Sequence, residues 1–151
     1  MAIVHLMAEI VVVLFALFLV GLAVVTFAKP AVAERFFSAF ASSARTHYTE
    51  QVFRLLIGAS LVVFSPAMWQ ANLFRIVGWI IVASSVGLLL IPWQWHHRFG
   101  QRVMPLVLRH LRLYAIGLLA FGFLLLLGVF TGAGPPTGSR PTQVPINSAL
   151  E

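Results

Sequence analysis

A chain of 151 residues suits one compact unit. Hydrophobic residues make up 60% and charged residues only 9%, against roughly 25% charged in a soluble domain, and mean hydropathy is +0.97, so too little charge remains to cover a water-facing surface. Apolar runs break up the net charge of +6, which therefore reads as membrane topology and lipid-headgroup contact rather than nucleic-acid binding, and the lack of cysteine excludes disulfides, thiolate metal sites and Cys nucleophiles.

Spanning a hydrocarbon core takes about 20 apolar residues in a helix. The first predicted span is 3–28, interrupted by His5 and Glu9 and ended by Lys29-Pro30. Ala31-Val32-Ala33 has the form of a signal-peptidase site. The run before it is longer than the usual signal core and lacks Lys and Arg in front, so retention as a span is expected. Over 31–45, Ala33, Phe36, Phe37, Phe40 and Ala44 recur at helical spacing opposite Glu34, Arg35, Ser38 and Arg45. This segment is too short and polar to span, and reads as an amphipathic helix at the membrane surface.

Thr49 is the expected N-cap of the next helix, with Glu50 and Arg54 as i,i+4 partners. The second span is 52–68, with Arg54 snorkelling to headgroups. The third is 73–91, after a tight turn holding Trp69. Gly78 and the Ala83/Gly87 pair offer it flat packing surfaces. Ile91-Pro92-Trp93-Gln94-Trp95-His96-His97-Arg98 then ends the apolar run, and Arg102, Pro105, Arg109 and Arg112 follow. Trp93 and Trp95 suit an aromatic belt. The fourth span is 113–130, either starting there or continuing a helix that begins near Pro105, with Gly117 and Gly122 as packing positions. From 132 to 151, Gly and Pro mark a flexible tail.

Lys29, Arg35, Arg45 and Arg54 flank one long connection, and Arg98, Arg102, Arg109 and Arg112 the other. Arg75 and Arg140 fall on the opposite side. The positive-inside rule puts both connections in the cytoplasm and both termini outside. The halves also share an order. Val20-Gly21-Leu22, Pro30, Arg35-Phe36, Arg54 and Gly58 are matched by Val86-Gly87-Leu88, Pro92, Arg98-Phe99, Arg112 and Gly117. Either this is a duplication, giving two parallel-repeat hairpins about an axis along the membrane normal, or helix ends simply favour Pro, Arg and aromatics. The pattern of Pro-x4-Arg, then Arg-x3-Gly, with one residue more in each gap in the second half, covers most of residues 20–130. It resembles small bacterial inner-membrane proteins of uncharacterised families, which implies placement and no activity.

Glu9 is the one ionisable group well inside a span, and His5 lies one turn earlier on the same face. The pair suits a proton or cation site, or a carboxylate reaching the interface. Span number and Glu9 are similar to small multidrug resistance transporters, and no further motif matches. His47, His96, His97 and His110 fall on the basic side; adjacent His96 and His97 point apart, so no metal or haem site is expected. Ser84 and Ser85 have no acid or base nearby in sequence, and no catalytic constellation or cofactor is expected.

The expectation is an all-α, four-helix integral membrane bundle with one cytoplasmic interfacial helix, in a bacterial inner membrane. It would act without catalysis as a scaffold or accessory subunit. It would contact anionic headgroups through Arg35, Arg54, Trp93, Trp95, Arg98, Arg102, Arg109 and Arg112. Its partners would be the bilayer and a membrane protein or a second copy, with no nucleic acid. The alternative is a small ion- or proton-coupled transporter using Glu9 with His5.

Overall fold

The computed structural model describes residues 2–40 and 43–132. The expected tail therefore lies, beyond Gly132, outside the described residues. Among the described residues there are only helices: α1 (Ala2–Ala28), α2 (Pro30–Phe40), α3 (Ala44–Phe64), a 3₁₀ turn (Ser65–Ala67), α4 (Ala71–Leu90), α5 (Trp93–Arg109) and α6 (Leu111–Gly132). Four stretches, Ala2–Ala28, Ala44–Ala67, Ala71–Leu90 and Leu111–Gly132, are long and apolar enough to cross a membrane.

Two boundaries differ from expectation for local reasons. The helix expected to start at Thr49 begins at Ala44. Its cap is Ser43, whose backbone is extended and whose hydroxyl accepts from the Thr46 N–H at 3.3 Å. Hydropathy hid this turn because it carries Arg45, Thr46, His47 and Glu50. Residues 93–109, expected as connection at least as far as Pro105, form a full helix that runs through that proline. Its strongly polar face suppresses the apolar signal while leaving Val103, Met104, Val107 and Leu108 half-buried. At His110 the chain turns. Its N–H bonds Leu106 O at 3.2 Å and Val107 O at 3.1 Å, and α6 starts one residue later.

The most extensive packing joins α1 to α6 and α3 to α4, and α1 also packs on α3. The tightest pairs thus form between the two sequence halves, not within them. α1 buries Ala8, Val12, Ala16, Leu19, Ala23 and Thr26, one face at helical spacing. Part of that face meets Leu61, Phe64, Met68, Phe74, Leu125 and Val129 in a single core. Glycines set the closest approaches. A Cβ at Gly78 would stand 2.9 Å from Gly58 O and 2.8 Å from Val62 Cγ2; one at Gly122 would stand 3.0 Å from Ala16 O and 2.8 Å from Val20 Cγ2. Ala16 precedes Pro30 by the same interval as Gly78 precedes Pro92, so on α1 and α4 the crossings hold corresponding places.

Two ends can be distinguished. At one, α2, α5, the start of α3 and the start of α6 gather with eight of the described Lys and Arg residues. We call it the basic end. At the far end, the α3–α4 turn meets α6: Trp69 N–H donates to Gly128 O at 2.9 Å, and a Cβ on Gly128 would stand 2.6 Å from the Phe74 ring. Gln70 opens α4 in the left-handed region at φ 60°. The Phe18 and Phe36 rings lie 6.2 Å apart. Phe18 stands about 15 Å before the end of α1 by helical rise, so α2 folds back along α1 instead of leaving it at a right angle.

Gly78→Val is expected to lower stability by about 1–3 kcal/mol through overpacking against Gly58 and Val62. Gly87→Val, whose Cβ would meet nothing within 4 Å, serves as the control that removes the same glycine from the same helix. Thermal unfolding in mild detergent measures both, and equal shifts would contradict the crossing.

Candidate functional site

α3 carries a polar edge that its apolar composition conceals. His47, Gln51, Arg54 and Gly58 recur at helical spacing on one face. Because α3 and α4 run antiparallel and touch at Gly58 and Gly78, this edge lies along the last two turns of α4. Arg54 donates from Nε to Ser85 Oγ at 3.3 Å and from Nη2 to Ser84 Oγ at 3.0 Å. Its Nη1 stands 3.8 Å from Glu50 Oε1. Nearer the basic end, His47 Nε2 donates to Leu88 O at 3.3 Å. That carbonyl belongs to the final turn of α4, where intrahelical donors run out.

The hydroxyl protons explain the arrangement. Ser84 and Ser85 both donate to Ile81 O, at 2.9 and 2.7 Å. Their lone pairs are thereby turned outward as acceptors for the guanidinium, which only donates. Gln51 is completely buried, and neither its amide nitrogen nor its amide oxygen has a hydrogen-bond partner. Leaving such a group unmatched costs about 1–3 kcal/mol. The seam joins two helices, and both serine protons are held by a backbone carbonyl rather than by a base.

The residues singled out from sequence are scattered. Glu9 is half-buried at the edge of the packed face of α1, while His5 is exposed one turn before packing begins at Ala8. Among the described residues neither has a hydrogen-bond or ion-pair partner. Arg35, Arg98, Arg102, Arg109 and Arg112 are exposed at the basic end. Trp95 is exposed there too, and Trp93 is half-buried with its ring 5.7 Å from that of His97. His110 Nδ1 donates to Leu106 O at 3.0 Å. No three His, Cys, Asp or Glu side chains come together as a metal site among the described residues. Of the small residues, Gly78 and Gly122 lie at helix crossings. Gly87 and Gly117 have nothing within 4 Å, and Ala83 is exposed.

Arg54 was expected to snorkel outward. Its bonds to Ser84 and Ser85 instead turn it along α4 and leave its side chain 38% exposed. The sequence did hold a signal for the seam, in the 47–51–54–58 spacing of polar groups and glycine on an otherwise apolar helix. What it lacked was the partner helix. The chain matches no protein-family model, no curated protein and no solved structure.

Two substitutions should separate satisfied from unsatisfied polar groups. Arg54→Met should destabilise by about 1 kcal/mol, the value of a charge-assisted bond discounted for partial exposure. A double-mutant cycle with Ser84→Ala and Ser85→Ala should show the loss to be shared. Gln51→Met should be neutral or stabilising, because it removes an unmatched amide. Chemical or thermal unfolding in detergent is the measurement, and a destabilising Gln51→Met would mean that the amide has a partner.

Proposed function

We propose that this chain is a multi-pass protein of a bacterial inner membrane, with its basic end in the cytoplasm and both termini outside. In it α2 and α5 are interfacial helices, and the protein acts without catalysis as a scaffold or accessory subunit for other membrane helices or a second copy of itself. The topology is supported by the eight cations at one end against Arg75 at the other. Amphipathic α2 and α5, both at the basic end, fit the headgroup layer there. The Pro-led order of α2 and α5, and the matching crossings at Ala16–Gly122 and Gly58–Gly78, support two related halves.

The observation that carries the scaffold reading concerns Gly21 and Gly87. They sit inside long helices, ahead of Pro30 and Pro92, and face open space, with nothing within 4 Å of a would-be Cβ. Glycine within a helix costs about 1 kcal/mol relative to alanine, and neither residue serves a contact inside the chain. A flat spot of this kind suits close approach by a helix from another molecule, and Ala83 extends it on α4. The competing reading, a proton- or ion-coupled carrier built on Glu9 and His5, has in its favour the half-buried carboxylate, but no polar group of another helix joins the pair among the described residues.

The absence of native cysteine makes single-cysteine reporters direct. Gln101→Cys should be shielded from an impermeant maleimide in intact cells, and Asn72→Cys should be labelled; the reverse pattern inverts the topology. Ala83→Cys should crosslink to a second polypeptide in native membranes, and Gly87→Trp should abolish that product. Persistence of the product in Gly87→Trp, or its absence in the parent, would remove the scaffold reading. Proton-coupled flux in liposomes that is lost in Glu9→Gln would replace it with the carrier.

A further inference from the structure

Two open cavities meet at the α5–α6 corner. One, of about 420 Å³, is polar, with Glu34 of α2, Arg109 and His110 at the end of α5 and Arg112 in the first turn of α6 on its walls. The other, of about 630 Å³, is an apolar trough along α6 past Tyr114, Gly117, Leu118 and Phe121. They share His110 and Leu113 on their walls, so a basic chamber lies beside an apolar trough. We propose that the combined site seats one anionic phospholipid, with its phosphate between Arg109 and Arg112 and an acyl chain along the trough over Gly117. This rests on the membrane reading above and adds to it a defined seat and a ligand class.

Charge, shape and the comparison between the halves all support it. Two guanidiniums face one carboxylate in the chamber, and neither Arg109 nor Arg112 forms an ion pair among the described residues. The first turn of α6, whose N–H groups lack intrahelical acceptors, adds positive field. Guanidinium groups match phosphate oxygens in geometry. The trough is open because position 117 is glycine, where a side chain would meet nothing of this chain within 4 Å.

The corresponding corner of the other half is closed by the protein itself: Arg54 is held by Ser84 and Ser85, and His47 by Leu88 O. On α1 the chamber wall carries Thr26, whose hydroxyl donates to Leu22 O at 2.7 Å, and among the described residues no hydrogen bond joins it to Arg112.

The test is native mass spectrometry of the full chain, purified in mild detergent, stripped of lipid and titrated with phosphatidylglycerol or phosphatidylcholine. A single phosphatidylglycerol adduct is expected, bound at least about tenfold more tightly than phosphatidylcholine, the effect of one charge-assisted interaction. Joint Arg109→Gln and Arg112→Gln should erase that preference, and Glu34→Gln should strengthen it. Gly117→Leu should weaken the adduct without lowering lipid-free thermal stability. Equal binding of the two lipids, or adducts indifferent to the arginine and glycine substitutions, would overturn the seat. So would competition by glycerol phosphate as strong as by the lipid, because the trough would then contribute nothing. Extraction of native membranes with alkaline carbonate separates the two levels. Retention without a selective adduct sinks the seat alone, and release of the chain sinks the membrane reading with it.

Discussion

The close approach of α3 and α4 at Gly58 and Gly78 is the constraint on which the rest of the fold depends. With a methyl group on either glycine, the opposing carbonyl and the valine side chains would have to move. Because the backbones come so near, the polar edge of α3 lies within reach of α4, and Arg54 and His47 find acceptors there. In a bilayer, apolar burial offers little preference for one helix pairing over another. Steric fit at small residues and a few hydrogen bonds between helices then choose the partners. The seam supplies both, the glycines at mid-helix and the Arg54–serine and His47–carbonyl bonds toward the basic end.

The two halves use one plan with different chemistry. Each runs from a long apolar helix through a proline into an amphipathic helix and then a second long helix. Each long pair across the halves crosses at a glycine, Gly78 with Gly58 or Gly122 with Ala16. The departures from symmetry are informative. α1 packs on α3 along part of its length, while α4 and α6 meet near the far end, where Phe74 lies against Gly128. One basic corner is stitched by serines, and the other is lined by arginines and left open. The shared order of elements thus ends in two unlike basic corners.

Polar groups in so apolar a chain need a physical account. Arg54 has three named neighbours, and the two serines hold their protons on a backbone carbonyl so that they can accept from it. This is a structural use of charge, in which a satisfied donor holds two helices in register. Gln51 is the opposite case, a buried amide with both ends unmatched beside that same seam. The two side by side explain why a polar residue in a hydrophobic helix cannot be assigned a role from its type alone. The geometry of its neighbours decides between clamp and vacancy.

The sequence by itself determined the four long apolar helices, the proline-marked ends of two of them, and the clustering of cations on two of the three connections. Hydropathy and helix-stop residues report on each segment's own preference for apolar surroundings, and that preference is local. It misjudged the first turn of α3 and the part of α5 before Pro105, because a polar face lowers the apolar average even where the other face is buried. Only the tertiary structure decided which helices pair, that α2 folds back along α1, and that Arg54 turns along α4. It also decided that Gly78 and Gly122 lie at crossings while Gly87 and Gly117 face outward. These depend on faces meeting across distant parts of the chain. A glycine at a crossing and a glycine on an open surface are the same letter, and only the neighbouring helix distinguishes them.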